Sequence, residues 1–282
     1  MKSIQPSEVT TAEMHSYLLN SIAPRPIAFV STIDKNNIVN LSPYSCFNFF
    51  GANPPILIFS PTKSVRDNVE KHTLENIRET KECTVNIVSY EIVEQMSLSS
   101  TAYDKGVNEF IKSGLSELKS ELVKPPRVKE SPVQFECILK EIIPMGNEGG
   151  SGNLVICEVI KMHMDESALD EKGMIDSTKL NLMGRMGGNM YVKASGNALL
   201  SVQKPTRNKG IGIDKLPLHI IESDILTGNH LAKLANIEKL PIDIDFKNIE
   251  VPITSSREEN HLLAARLLDK GLLLEAWKLL LL

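Results

Sequence analysis

Between Ile27 and Met164 the chain is a series of short apolar-rich runs broken by turn-forming residues. IAFVSTI, 27–33, carries apolar residues at both parities, as expected of a strand covered on both faces. DKNN, 34–37, reads as a turn, and IVNLS, 38–42, as the returning strand. The strand should end there, because Pro43 removes a backbone donor and interrupts a sheet. PILIFS, 55–60, and CTVNIV, 83–88, are further strands. QFECILKEII, 134–143, puts Phe135, Cys137 and Leu139 on one face and Gln134, Glu136 and Lys140 on the other. It pairs as a long hairpin with LVICEVIKMHM, 154–164, through the glycine-rich GNEGGSGN, 146–153. LENIRET, 74–80, and VEQM, 93–96, favour short helices, and residues 1–20 read as a loose lead-in with a helical turn near Met14–Leu19. At least six strands with few helices between them predict an antiparallel barrel or sandwich, not a doubly wound parallel sheet.

The texture changes after residue 195, which sets expected domains of 1–195 and 196–282. The second is mostly helical. Ser255 with Glu258, and Ser256 with Glu259, each fit a capping box, and Gly271 ends or kinks that helix before a second one over Leu272–Leu282. Its leucines need a surface to bury against, either this subunit's barrel or a dimer interface.

Composition narrows the class. With 42% apolar and 23% charged residues in 282, a sizeable core is available and disorder is not indicated. A net charge of −4 without a basic stripe argues against nucleic acid or an anionic membrane as partner. Cys46, Cys83, Cys137 and Cys157 form no C-x-x-C pair, and no apolar run has the length of a membrane span. MKSIQPSEVT lacks an apolar secretory core, so the cytoplasm is the expected location.

Most motif candidates are weak. GNEGGSGN lacks the G-x-x-x-x-G-K-[ST] pattern and precedes a strand, GIGID offers a single G-x-G, and no G-x-S-x-G occurs. The six histidines have no metal-ligand spacing, so no metal is expected. KHTLENIRET, 71–80, says more: Lys71 and His72 precede a helix for which Thr73 is a candidate N-cap. Free N–H groups there suit phosphate, although Glu75 opposes it, and on local grounds an ordinary capped surface helix is the favoured reading. Arg25 lies between two prolines that hold the backbone extended, either as a surface arginine or aimed at a ligand's anionic or carbonyl edge. NLSPYSCFNFF, 40–50, is either a strand end with aromatic core residues or a backbone turned toward a flat, polar-edged ligand.

Taken in order, PRPIAFVST, NLSPYSCFN, PPILIFS, KHTLENIRET–CTVNIV, ELVKPPRVKESPVQFECIL, LVICEVIKMHMDE and GRMGGNMY resemble the flavin reductase-like, FMN-binding split-barrel family, which includes flavoredoxin-type proteins. The resemblance covers about residues 13–195. It implies a mainly β, six-stranded split β-barrel of Greek-key character with peripheral helices, a homodimer, and FMN near the subunit interface. The implied activity is hydride transfer from NADH or NADPH to flavin, with an FMN-binding electron-transfer or flavin-storage protein as the alternative. Electrons would pass to small-molecule substrates, an acceptor protein or a monooxygenase. Carried over by position, Ser31 and Thr32 match hydroxyls at the end of the first strand. Ser42, Tyr44, Ser45, Cys46, Phe47 and Asn48 match the segment around the isoalloxazine ring, and Lys71 and Thr73 an element near the phosphate, with His72 where the family commonly has aspartate. Arg185 and Tyr191 match a late element closing over flavin or the dimer seam. Arg25, then Arg185, are the candidates for stabilising the reduced, anionic flavin. No catalytic side chain is required, because the cofactor carries the chemistry.

Overall fold

In a computed structural model the described residues are 1–65, 68–205, 209–243 and 249–281; Leu282, the last residue of the expected terminal helix, lies outside them. The chain divides into two compact units, Met1–Leu200 and Ser201–Leu282.

The first unit carries α1 (Thr11–Ser21), longer than the helical turn expected near Met14–Leu19 within a loose lead-in. The helix forms because Thr10 and Glu13 make a capping box, with the Glu13 N–H donating to Thr10 Oγ1 across 3.2 Å and Glu13 Oε2 accepting from the Thr10 N–H at 2.8 Å. The strands are β1 (Ala28–Ile33), β2 (Val39–Tyr44), β3 (Phe47–Ala52), β4 (Pro55–Phe59), β5 (Glu82–Ile87), β6 (Glu117–Leu118), β7 (Arg127–Val128), β8 (Val133–Pro144), β9 (Asn153–Met164), β10 (Leu182–Arg185) and β11 (Tyr191–Ala194). Helices α2 (His72–Thr80), α3 (Val93–Ser99) and α4 (Glu109–Ser113) lie between them.

Seven strands form one antiparallel sheet in the order β2-β1-β5-β8-β9-β4-β3, one more than the six expected. The addition is β3, and β2 also runs through Pro43 instead of ending before it. The second correction has a plain cause. β2 and β3 are the two edges of the sheet, where a residue without an N–H is tolerated.

The order also fixes the curvature. β2 and β3 occupy opposite edges, yet only Ser45 and Cys46 join them. Three Cα–Cα steps of about 3.8 Å keep Tyr44 and Phe47 within roughly 11 Å of one another. The sheet therefore curls until its edges approach at this corner. Its inner face holds one core, including Val30, Tyr44, Phe59, Val85, Cys137 and Val155, and the Tyr44 and Phe59 rings lie 5.4 Å apart across it. Leu74 and Ile77 of α2 are buried in the same core, each burial being worth about 1.5–3 kcal/mol. On the outer face Phe29 and Leu41 pack with Ile92, Met96 and Phe110. This two-sided covering is why every residue of β1 is buried.

The second unit contains α5 (Leu218–Ile221), α6 (Gly228–Ala235), α7 (Arg257–Asp269) and α8 (Leu273–Leu280) around Ile220, Leu234, Leu268 and Trp277. Of the two expected caps Ser256 is used, its Oγ accepting from the Glu259 N–H at 3.3 Å. Gly271, at φ 78°, makes the left-handed turn between α7 and α8. Among the described residues no helix is long and apolar enough to cross a membrane.

Candidate functional site

The expected site residues gather at two places joined by the end of β2. At the first, β1 and β2 present Thr32, Asn40, Ser42 and Tyr44 on the inner face, since the pairs Thr32↔Asn40, Val30↔Ser42 and Ala28↔Tyr44 lie directly opposite. The start of α2 docks here. Asn40 Nδ2 donates to Thr73 Oγ1 at 2.9 Å, and Asn76 Nδ2 donates to Thr32 Oγ1 at 3.1 Å.

These bonds correct the expected cap. Lys71, without a side-chain cap, holds the N-cap position and the helix begins at His72. Thr73 is in the first turn and buried, because its hydroxyl is needed by Asn40. Lys71 is exposed at the helix start, where the first N–H groups have no intrahelical acceptor. Glu75, which opposed a phosphate reading, is itself paired with Lys105 at 2.7 Å.

Among the described residues, two buried hydroxyls have no hydrogen bond: Tyr44 Oη and Ser31 Oγ. The Tyr44 hydroxyl faces the Thr73 and Ser42 hydroxyls without forming a bond of proper geometry to either, and burial pushes its phenol up to about 12. Ser31 follows the strand alternation and faces the opposite side, toward the layer of Phe29 and Leu41. Ser31 and Thr32 therefore do not share one site through their side chains.

The second place is a junction around Arg25. Arg25 and Arg185 exchange main-chain bonds, N to O at 3.0 Å and O to N at 2.8 Å. The Arg25 guanidinium reaches Ser45 Oγ, two carbonyls at the end of α1 and the Met186 carbonyl. Arg185 stacks over the Tyr191 ring at 4.6 Å and donates to the Met190 carbonyl at 3.0 Å. Within GRMGGNMY, a Cβ on Gly187 would lie 1.9 Å from Asn20 Oδ1 of α1.

Between the two places runs the corner. Among the described residues neither the Ser45 nor the Cys46 N–H has an acceptor, while the Cys46 carbonyl accepts from Ser60 N–H at 2.9 Å. Cys46 and Asn48 are exposed, and Phe47 leans on the core. Phe49 and Phe50 stand 70% and 64% exposed on the edge strand. The arrangement offers unpartnered main-chain donors beside an apolar wall, which suits a flat ligand with a polar edge.

Sequence reasoning missed Asn40, Asn76 and Glu109. Glu109 is buried, accepts from the Leu41 N–H at 2.8 Å, and is held above the usual carboxylate range by burial. Asn40 interrupts the apolar run Ile38–Leu41, which was an available signal; Asn76 and Glu109 lie among polar residues and gave none. Among the described residues no group of three metal-ligating side chains exists.

Residues 20–183 match the Flavin reductase like domain family. A protein of Aquifex aeolicus is 38% identical over 189 residues, 67% of this chain and 94% of its own. Nitrilotriacetate monooxygenase component B from Bacillus cereus is 30% identical with a TM-score of 0.65, over 72% of this chain and 98% of that one. A flavin reductase candidate with a split barrel domain from Shewanella frigidimarina is 26% identical with a TM-score of 0.61, over 72% and 100%. The family match ends before the second unit begins.

Proposed function

This chain belongs to the flavin reductase like family, and on that footing we propose that its first unit binds FMN and serves an NAD(P)H-dependent flavin reductase. The observation that carries the reading is the Ser45–Cys46 corner, whose two N–H groups have no acceptor among the described residues. Ser45 is half-buried and Cys46 exposed, so these donors are open to solvent and available to a ligand that displaces it.

The residues present fit FMN. The Ser45 and Cys46 amides, with Asn48, would hold the polar edge of the ring, and Phe47, backed by Tyr44, would supply an apolar wall. Half-buried Ser42 would offer its hydroxyl there, while the buried Tyr44, Thr32 and Thr73 back the wall, the two threonines being bonded to Asn76 and Asn40. Lys71 and the first turn of α2 hold the phosphate by charge and free N–H groups. Arg185 and Tyr191 close the opposite side as a stacked pair. When bound, FMN supplies the redox chemistry by accepting hydride from NADH or NADPH. The chain's part is to orient the ring, exclude water from its edge and stabilise negative charge that develops there. A homodimer, with the exposed Phe49 and Phe50 covered by the second copy, completes the site. The likeness to a monooxygenase component supports an oxygenase or a small molecule as the electron acceptor.

Titration with FMN, followed by anaerobic addition of NADH or NADPH, tests the proposal. Saturable binding and bleaching of the flavin's visible band support it. Binding without bleaching by either donor leaves a storage or electron-transfer role.

A further inference from the structure

Arg25 is 7% exposed, and among the described residues no carboxylate pairs with it. A buried cation without a counterion is costly unless its N–H groups are all engaged. Here nearly all are. Nη1 donates to the Leu19 carbonyl at 2.5 Å and the Ile22 carbonyl at 2.6 Å, Nη2 to the Met186 carbonyl at 3.0 Å, and Nε to Ser45 Oγ at 3.3 Å. A guanidinium has five N–H groups in a fixed fork, so a single one is left over. The carbonyls of Leu19 and Ile22 belong to the C-terminal end of α1, where the helix dipole favours a cation.

The acceptors come from segments far apart in sequence: α1, the β2–β3 corner and the turn after β10, the last separated from Arg25 by 161 positions. One planar group therefore sets their relative positions. We propose that Arg25 is a positioning residue, a main-chain clamp that holds the Ser45–Cys46 corner in register with α1 and the β10–β11 turn instead of contacting the flavin. The inference rests on the flavin reading above, because its consequence is felt in the direction of the corner's N–H groups. Charge alone does not meet this requirement; the fork of the guanidinium does. A lysine keeps the charge but cannot span acceptors in these directions.

The test compares the full-length wild type with Arg25→Lys, Arg25→Gln, Ser45→Ala and the Arg25→Lys/Ser45→Ala double variant. FMN dissociation constants and the visible circular dichroism of bound FMN are recorded well below each variant's unfolding temperature. The clamp requires Arg25→Lys and Arg25→Gln to weaken FMN binding alike, on the order of tenfold or more, as loss of charge-assisted bonds implies. Ser45→Ala weakens it by about threefold to tenfold, and the double variant is no worse than Arg25→Lys. Both single changes alter the dichroism of the bound flavin. Rescue by lysine but not glutamine overturns the clamp in favour of direct charge contact. Unchanged affinity and dichroism alongside a lowered Tm overturns it in favour of a purely structural role. If the Arg25 variants do not fold, Ser45→Ala alone decides: unchanged affinity and dichroism contradict the clamp. A wild type that fails to bind FMN removes the flavin reading itself, which these comparisons keep distinct.

Discussion

Asn40 Nδ2 donates to Thr73 Oγ1 across 2.9 Å, fixing the first turn of α2 against the edge strand β2. Both side chains are buried, so the bond sets where the free N–H groups at the helix start point. Asn40→Ala leaves a buried hydroxyl without its donor and costs about 1–3 kcal/mol. Thr73→Val costs a similar amount, and the double variant costs less than the sum because the two groups share one interaction. Chemical denaturation followed by far-UV circular dichroism measures all three; strict additivity contradicts the pairing.

Tyr44→Phe removes a buried hydroxyl that has no hydrogen bond. Without ligand, the phenylalanine variant is expected to be more stable by about 1 kcal/mol, since it removes a desolvated group and keeps the ring. The wild-type phenol, raised from 10.0 to about 12 by burial, stays protonated in the fold. Its raised value contributes stability below the ordinary phenol range, and this is lost as pH rises toward about 12. Tyrosinate absorbance during alkaline titration of the folded protein should show one phenol ionising late, and Tyr44→Phe should remove that late step.

Glu109 carries a pH dependence of the same sign. Burial raises its carboxyl above the ordinary range, opposed by the Leu41 N–H. Its protonated form fits the fold better, so its contribution is full in acid and is lost as pH climbs through the raised value. Glu109→Gln keeps an oxygen for Leu41 without the charge. The Tm of the glutamine variant should exceed that of wild type by a margin that is small in acid and widens toward neutral pH. A margin independent of pH contradicts this.

Gly187→Ala forces Asn20 to move, because the new Cβ would lie 1.9 Å from Oδ1. Asn20 is itself held by the Ser16 carbonyl at 2.7 Å. Asn20 is exposed and its amide can swing aside, so the variant is expected to lose only about 0.5–1.5 kcal/mol, the worth of that hydrogen bond, and Gly187→Ala/Asn20→Ala, which removes the displaced amide, to recover part of it. Thermal unfolding of the pair checks this, and equal loss in both contradicts the contact.

The long hairpin of β8 and β9 was legible because its side chains alternate, and β1 because two-sided burial leaves a continuous apolar run. β3 was not. Asn48, Phe49 and Phe50 are all exposed, and a register shift between Phe49 and Gly51 removes the period of two. Pro43 looked like a strand end because its tolerance depends on which strand is at the edge, a property of the whole sheet. Thr73 looked like a cap because local rules favour it, and a tertiary partner thirty-three positions away claimed its hydroxyl instead. The family resemblance located the segments of the candidate site, while the partners of Arg25 depended on contacts spanning most of the first unit.

We propose that the corner between the sheet edges, together with the start of α2, holds FMN for reduction by a nicotinamide donor. The most direct measurement of this is the visible spectrum of the FMN-loaded protein, freed of unbound flavin and mixed anaerobically with NADH or NADPH. Retention of FMN with loss of its oxidised band on mixing with at least one donor is the expected result. A protein that releases all its FMN on gel filtration and quenches no flavin fluorescence on titration would contradict the account.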